Sequence, residues 1–366
     1  MYQHRNLEMK LILMPHKNPY FGQDYTISYL VKTMGLIPIF LVNGEYNLDE
    51  IKLNKIELII SRYPDFECDR NIIKKFAGVF PIITHLHLKY SFLSSKQKCI
   101  LSESLSSSNC IITNCTQLNS EYSSIFPKYK WKFVNNGIDS NVFKPSTEDE
   151  RYEFKSNHGI PKGKIIVTYT GRLNKPKGIQ ILERLCEYIS KSRKFYLIIQ
   201  SVYHPKYCNK FKELKNKFKN LKIITTQDIK VLRFSDINIS TSLCETTSLV
   251  TLESLFSGVP VICTNVTEFY NDIDKYNKGF KYFRRVEMPS DFPLIANNEK
   301  SKIILSEEDA TKLSEAFIER LNETEIIGDS QRNKLGKKWK DSKYEAKKMN
   351  KKLEKLYNSV LKKFNN

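Results

Sequence analysis

Short apolar runs of strand length alternate with stretches of helical spacing through most of this chain, and the alternation breaks once, near residues 141–164, before it restarts. No other feature narrows the fold so far. A short apolar run bounded by polar turns suits a strand buried on both faces, and an amphipathic segment between two such runs suits a covering helix. Repetition of the pair predicts parallel sheets layered by helices. In the first half the predicted strands are Lys10–Met14, Ile37–Val42, Leu58–Ser61, Pro81–Thr84, Cys110–Thr113 and Trp131–Val134. Within Tyr25–Met34 the residues Ile27, Leu30, Val31 and Met34 share one helical face, and Gly35 ends that helix.

The break at Asn141–Lys164 contains Pro145, Gly159, Pro161 and Gly163, which reads as linker chemistry. Beyond it come predicted strands Ile165–Tyr169, Phe195–Gln200, Leu221–Thr225, Asp236–Ser240 and Pro260–Thr264, with helices at Gly178–Ser190, Lys206–Phe218 and Ser248–Ser257. Residues near 285–305 show no regular pattern. The tail reads as one long helix with the apolar stripe Leu335, Trp339, Ala346, Met349, Leu353, Leu356, Val360 and Phe364. Such a stripe docks on the protein's own surface or, alternatively, on a membrane surface.

At 366 residues the chain exceeds what one hydrophobic core usually takes, so two domains are expected. Apolar residues at 40% and charged residues at 27% exclude a disordered or collagen-like chain. No run reaches the roughly 18 apolar residues of a membrane span, and the polar Met1–Lys10 does not read as a signal peptide. Eight scattered cysteines without a C-x-x-C pair fit small buried side chains in a reducing compartment. The expected location is cytoplasmic, peripheral at the inner face of a membrane in the sharper version. The formal charge of +19 is uneven: residues 191–230 hold 11 Lys and Arg against 2 Asp and Glu, and residues 333–366 hold 12 against 3. That excess suits an anionic membrane surface, a nucleic acid or a phosphorylated substrate, or simply a solvated face.

Ligands of doubly wound sheets collect at the carboxyl ends of strands, so residues directly after strands carry the chemistry. After Ile165–Tyr169 comes Thr170-Gly171-Arg172-Leu173-Asn174-Lys175-Pro176-Lys177-Gly178, in which Arg172 and Lys177 precede a helix start and suit a diphosphate. After Asp236–Ser240, Glu245 lies in a loop, Thr246, Thr247 and Ser248 open the next helix, and Glu253 follows two turns on, flanked by apolar residues. Carboxylates there can accept hydrogen bonds from the hydroxyls of a polyol or ribose. His85 and His87 follow Pro81–Thr84, without the partner cluster a metal site needs. Gly22, in Tyr20-Phe21-Gly22-Gln23-Asp24, allows a close backbone approach.

Together these motifs resemble the retaining GT-B glycosyltransferases of family 4, the glycosyl transferases group 1. Val134-Asn135-Asn136-Gly137-Ile138-Asp139 with Phe143-Lys144-Pro145 is similar to the family's interdomain N-G-x-D…F-x-P signature. Tyr169-Thr170-Gly171-Arg172-Leu173 with Lys177-Gly178 resembles its G-R-L…K-G phosphate site, Glu245 and Glu253 its E-x7-E element, and Gly258-Val259-Pro260-Val261 its G-x-P-V. The resemblance implies an α/β GT-B fold, two Rossmann-like doubly wound domains facing a central cleft. It divides the chain into an acceptor domain (1–145), a nucleotide-sugar domain (146–335) and a C-terminal helix (336–366) packing back on the first.

By the same resemblance Arg172 and Lys177 bind the diphosphate and stabilise it on departure. Glu245 contacts the transferred sugar, the backbone of Thr246, Thr247, Ser248 and Leu249 lies near sugar and phosphate, and Glu253 holds the ribose. His87, rather than His85, faces the reacting sugar, and Gly22 is half of a glycine pair in the acceptor-side loop. Gln23 replaces the second glycine, Thr246-Thr247-Ser248 stands where many members have E-G-F-G, and Gln200-Ser201 replaces a common glycine. The implied function is transfer of a hexose or N-acetylhexosamine from a nucleotide-diphosphate sugar, UDP-sugar first, to a cell-envelope glycan or lipid-linked acceptor. No cofactor is implied, and without a D-x-D motif no essential divalent metal. Modified, hydroxylated DNA as acceptor and a silent protein that binds a nucleotide sugar or an anionic polymer stand as alternatives.

Overall fold

The computed structural model describes residues 9–14, 31–42, 45–46, 56–201, 208–218, 220–224, 229–278, 281–290, 292 and 305–366. Gly22 and Gln23, the predicted helical residues 25–30, and residues 293–304 lie outside the described residues. The chain forms two compact units, Met1–Gly137 with Ala346–Asn366, and Ile138–Ala296 with Lys300–Glu345. Residues 138–145 and 336–345 therefore group with the second unit.

In the first unit, strands β1 (Met9–Met14), β2 (Ile37–Val42), β3 (Glu45–Tyr46), β4 (Ile56–Ser61), β5 (Ile82–Leu86), β6 (Cys110–Thr113) and β7 (Trp131–Phe133) form one sheet in the order β3-β2-β1-β4-β5-β6-β7. All pairs are parallel except the antiparallel β2–β3. Leu11, Leu13 and Ile59 pack with Ile72, Ile73 and Phe76 of helix α1 (Glu67–Phe76). Their strand neighbours Ile12, Leu58 and Ile60 pack on the other face with Met349, Leu353, Tyr357, Val360 and Leu361. Side chains alternate across a strand, so two covered faces demand an unbroken apolar run. Helices α2 (Ser95–Ser106) and α3 (Thr116–Ile125) also belong to this unit, and residues 31–34 are helical.

In the second unit, β8 (Ile165–Thr170), β9 (Phe195–Gln200), β10 (Leu221–Ile224), β11 (Ile237–Ser240), β12 (Val261–Thr264) and β13 (Phe283–Val286) form an all-parallel sheet in the order β10-β9-β8-β11-β12-β13. Its helices are α4 (Glu148–Asn157), α5 (Ile179–Lys191), α6 (Cys208–Lys217), α7 (Leu249–Phe256), α8 (Phe269–Tyr276), α9 (Glu307–Glu323) and α10 (Asp329–Lys340). Strand β13 falls where no pattern was expected, because its centre is Arg284-Arg285, paired to Glu323 and Asp274 at a sheet edge. The linker expected at 141–164 contains α4, whose start is fixed by a capping box between Thr147 and Glu150.

The tail is two helices rather than one. Helix α10 ends at Lys340, and α11 (Ala346–Phe364) belongs to the first unit. Between them Tyr344 O accepts from Ile138 N at 2.8 Å, and the Tyr344 ring packs edge-on against Phe269 and Tyr276 and tilted against Trp339. A continuous helix would carry Tyr344 out of that aromatic core. Trp339 is fully buried in the second unit's core, so the helix that covers the first unit's sheet starts seven residues later, at Ala346. There Gly137 is required by packing, since a Cβ would meet the Ala346 Cα at 2.6 Å. Among the described residues no helix is long and apolar enough to cross a membrane.

Candidate active site

The second unit assembles its site from the segments that leave β8 and β11, two neighbours in the sheet. After β8 the chain passes through Gly171–Asn174 and one 3-10 turn, Lys175–Lys177, into α5. Gly178 makes the corner at φ 65°, where a Cβ would lie 1.8 Å from the Thr241 carbonyl oxygen. Both the left-handed backbone and the contact exclude any larger residue. Leu243 N donates to Pro176 O at 2.9 Å and the Thr241 hydroxyl to Lys177 O at 2.8 Å, so the two loops are tied by backbone. The Tyr169 hydroxyl donates to Arg172 O at 2.8 Å and holds the turn from beneath.

On this frame the Lys177 ammonium forms an ion pair with Glu245, both side chains being largely buried. Burial pushes the Tyr169 phenol well up, Arg172 draws it down and Glu245 pushes it up again. Arg172 itself is exposed. The Glu245 loop is braced from β12 and beyond: Thr264 donates to Ser242 O, and Thr267 to Thr246 O at 3.0 Å. Thr246, Thr247, Ser248 and Leu249 are buried at the start of α7, with Ser248 at its N-cap.

Glu253 is 6% exposed on α7, and burial alone pushes its carboxyl up to about 7. Among the described residues no side chain bonds to it. A carboxyl kept so close to neutral within an apolar helix is held away from any cation. The Thr247 hydroxyl is likewise buried without a hydrogen-bond partner.

In the first unit β5 extends to Leu86, so His85 lies within the strand and His87 just beyond it. His85 Nε2 meets the Tyr357 hydroxyl at 3.0 Å, a link to α11 that gives His85 a structural role. His87 Nδ1 meets the Asn114 amide nitrogen at 3.0 Å. An amide N–H donating there puts the proton of the neutral imidazole on Nε2. Burial, then the nearby Arg62, holds both imidazoles well below their ordinary value, so they stay neutral. A polar recess lined by Arg62, His85, His87, Asn114 and Asn136 results.

Arg172, Lys177 and Glu245 thus come together around Tyr169, and Thr246–Leu249 and Glu253 follow on the next helix. His87 belongs to the first unit, and Gly22 lies outside the described residues. The sequence reading gave no role to Tyr169, Thr241, Arg62 or Asn114. Three of these stand directly after a strand (Thr241, Arg62 and Asn114), the very signal that selected Arg172 and His87.

Residues 150–283 match the family described as Glycosyl transferases group 1. A search of curated proteins returns no match to the sequence. Among solved structures, HepE from Anabaena in complex with UDP and glucose is similar at 13% identity, with a TM-score of 0.67 over 96% of this chain and 100% of that one. A glycosyltransferase from Rickettsia africae matches at 17% identity and TM-score 0.66, over 98% of this chain and 99% of that one. WaaG, a glycosyltransferase involved in lipopolysaccharide biosynthesis, matches at 12% identity and TM-score 0.65, over 95% of this chain and 99% of that one. These likenesses establish the GT-B fold. With a glycosyl transferases group 1 domain on residues 150–283, the chain is an enzyme of the glycosyltransferase class.

Proposed function

We propose that this enzyme transfers a hexose or N-acetylhexosamine from a UDP-sugar to a cell-envelope glycan or lipid-linked acceptor, with retention at the anomeric carbon. The observation that carries the reading is the Lys177–Glu245 pair, a fixed cation and carboxylate at two adjacent strand ends with Arg172 beside it. The complex of HepE with UDP and glucose and the involvement of WaaG in lipopolysaccharide biosynthesis support the choice of donor and acceptor.

In the proposed reaction the bond between the anomeric carbon and the diphosphate oxygen breaks, and its electron pair leaves on that oxygen. Arg172 and Lys177 stabilise the charge that develops there. The acceptor hydroxyl adds on the face the diphosphate leaves and gives its proton to the departing phosphate, a front-face displacement. Glu245 accepts from sugar hydroxyls, the Thr246–Leu249 backbone lies along sugar and phosphate, and Glu253 accepts from the ribose. His87, a neutral Nε2–H donor, is proposed to bond a sugar hydroxyl, and Gly22 to allow close backbone approach. With two side-chain cations on the leaving group, no divalent ion is needed in this scheme.

The test is a thermal-shift series with UDP-, GDP-, ADP- and TDP-sugars, and CMP-sugars as a monophosphate control. A ligand at about 100 times its Kd adds about 2.7 kcal/mol. UDP-sugars should stabilise the wild type and not Arg172→Ala, and slow release of UDP from UDP-glucose should accompany binding. Equal stabilisation of Arg172→Ala would remove the phosphate assignment.

A further inference from the structure

Helix α11 buries Met349, Leu353, Tyr357, Val360 and Leu361 against the first unit's sheet. Its other side carries seven exposed lysines, 347, 348, 351, 352, 355, 362 and 363, against the single glutamate Glu354. Among the described residues Lys351, Lys352, Lys355, Lys362 and Lys363 take part in no ion pair, whereas on the other strongly basic helix, α6, Lys210 is paired with Glu183 and Glu213. Like charges four apart on a helix repel, as Lys347–Lys351, Lys351–Lys355 and Lys348–Lys352 do here. That repulsion is a cost to the fold.

The basic face continues beyond the helix. Lys128, Lys130 and Lys132 are exposed along the edge strand β7 and the turn before it, while Tyr129 and Trp131 between them turn inward onto the core. Lys132 stands opposite Ile112 in the β6–β7 pairing, and Ile112 packs in the core that α11 covers, so Lys132 leaves the sheet on the α11 side.

We propose that this face of α11, with the lysines of β7, docks on an anionic lipid surface. A 19-residue helix is about 28 Å long, and it presents a straight row of ammonium groups rather than a groove. Its basic residues are all lysine, compact point charges that suit a plane of headgroups. Reading of a nucleic acid favours the arginine fork, which this face lacks. The proposal is independent of the donor reading, since no residue assigned to the UDP-sugar lies on α11 or β7.

The experiment is co-sedimentation of the full chain with vesicles of phosphatidylcholine alone and of phosphatidylcholine with phosphatidylglycerol. The triple change Lys351→Gln, Lys352→Gln, Lys355→Gln is compared with Lys212→Gln, Lys215→Gln, Lys217→Gln, an equal loss of charge on α6. Binding should require phosphatidylglycerol, weaken with salt, and fall about a hundredfold in the α11 variant at about 1 kcal/mol per lysine. The α6 variant should bind nearly as wild type, and both should keep their stabilisation by UDP. Equal loss in the two variants would reduce the effect to net charge and overturn the proposal, as would binding to neutral vesicles. Tighter binding to a duplex DNA fragment than to anionic vesicles, lost in the α11 variant, would reassign the face to nucleic acid.

Discussion

Glu253→Gln tests the reading of the site through one buried carboxyl. Burial raises Glu253 from an ordinary value near 4.5 to about 7. In the unfolded chain the same group ionises near 4.5, so between those two pH values the native state holds a proton that the unfolded state has lost. The resulting stabilisation is complete below 4.5 and is lost as pH rises through about 7. The integrated effect is about 3 kcal/mol. Asp69, fully buried and bonded by Tyr46 and Ser61, is raised to about 7 and has the same sign. His85 and His87 are lowered, so they act in the opposite direction, costing stability as pH falls below about 6.5. Absolute stability against pH therefore mixes several groups, and only the difference between wild type and variant isolates Glu253.

Glutamine has the shape of the neutral acid, so urea unfolding should find the two proteins alike near pH 5. Near pH 8 the variant should be more stable by about 3 kcal/mol, on the order of 10 °C in Tm for a unit of this size. Titration with UDP gives a second reading of the same group. Ribose hydroxyls bonded to the ionised carboxylate favour its charged form, so wild-type affinity should rise with pH through about 7 and that of Glu253→Gln should not. A stability difference that is the same at both pH values would show that Glu253 does not titrate in the fold as argued.

Lys177→Gln removes the cation that pairs with Glu245 and should lower kcat/KM about 100- to 1,000-fold; steady-state kinetics with the identified donor checks it. Gly178→Ala puts a methyl on the Thr241 carbonyl in a left-handed backbone, and should destabilise the second unit by more than about 3 kcal/mol, read by urea denaturation. Tyr357→Phe leaves His85 without its hydroxyl partner and should cost the first unit about 1–3 kcal/mol while UDP still stabilises the protein, read by paired thermal melts.

What the sequence disclosed follows from what a local pattern can report. Ile165–Thr170 was legible because both faces of β8 are covered and the run is unbroken, and Lys177-Gly178 because turn chemistry is written in adjacent residues. Arg284 and Arg285 broke the apolar run of β13, since an edge strand can place cations at its rim. The prolines and glycines of 141–164 read as a linker and masked the Thr147–Glu150 capping box that opens α4. The tail failed for a different reason. Leu335 and Trp339 keep helical spacing with Ala346 and Met349, yet the first pair serves the second unit's core and the second pair the first unit's sheet. Periodicity shows that a face is buried and not against what. The same limit hid the partners of His85 and Ile138, which lie more than 200 residues away in the chain.

The Lys177–Glu245 pair has a consequence for how the proposed donor would bind. A surface ion pair contributes little, but both of these side chains are mostly buried and their loops are tied by backbone hydrogen bonds, so the ammonium is held at a fixed point before any ligand arrives. A diphosphate need not expel Glu245 to reach it. A lysine ammonium has three donors, and one carboxylate oxygen occupies only one of them. The remaining donors, with Arg172 exposed beside them, are free to face the phosphate while Glu245 holds the lysine in place. Glu245 then has its own second oxygen for a sugar hydroxyl. On this argument the carboxylate serves twice, once to orient the cation and once to read the sugar, and a change such as Glu245→Ala should raise KM for the nucleotide as well as lower kcat, a double effect that loss of a sugar contact alone would not produce.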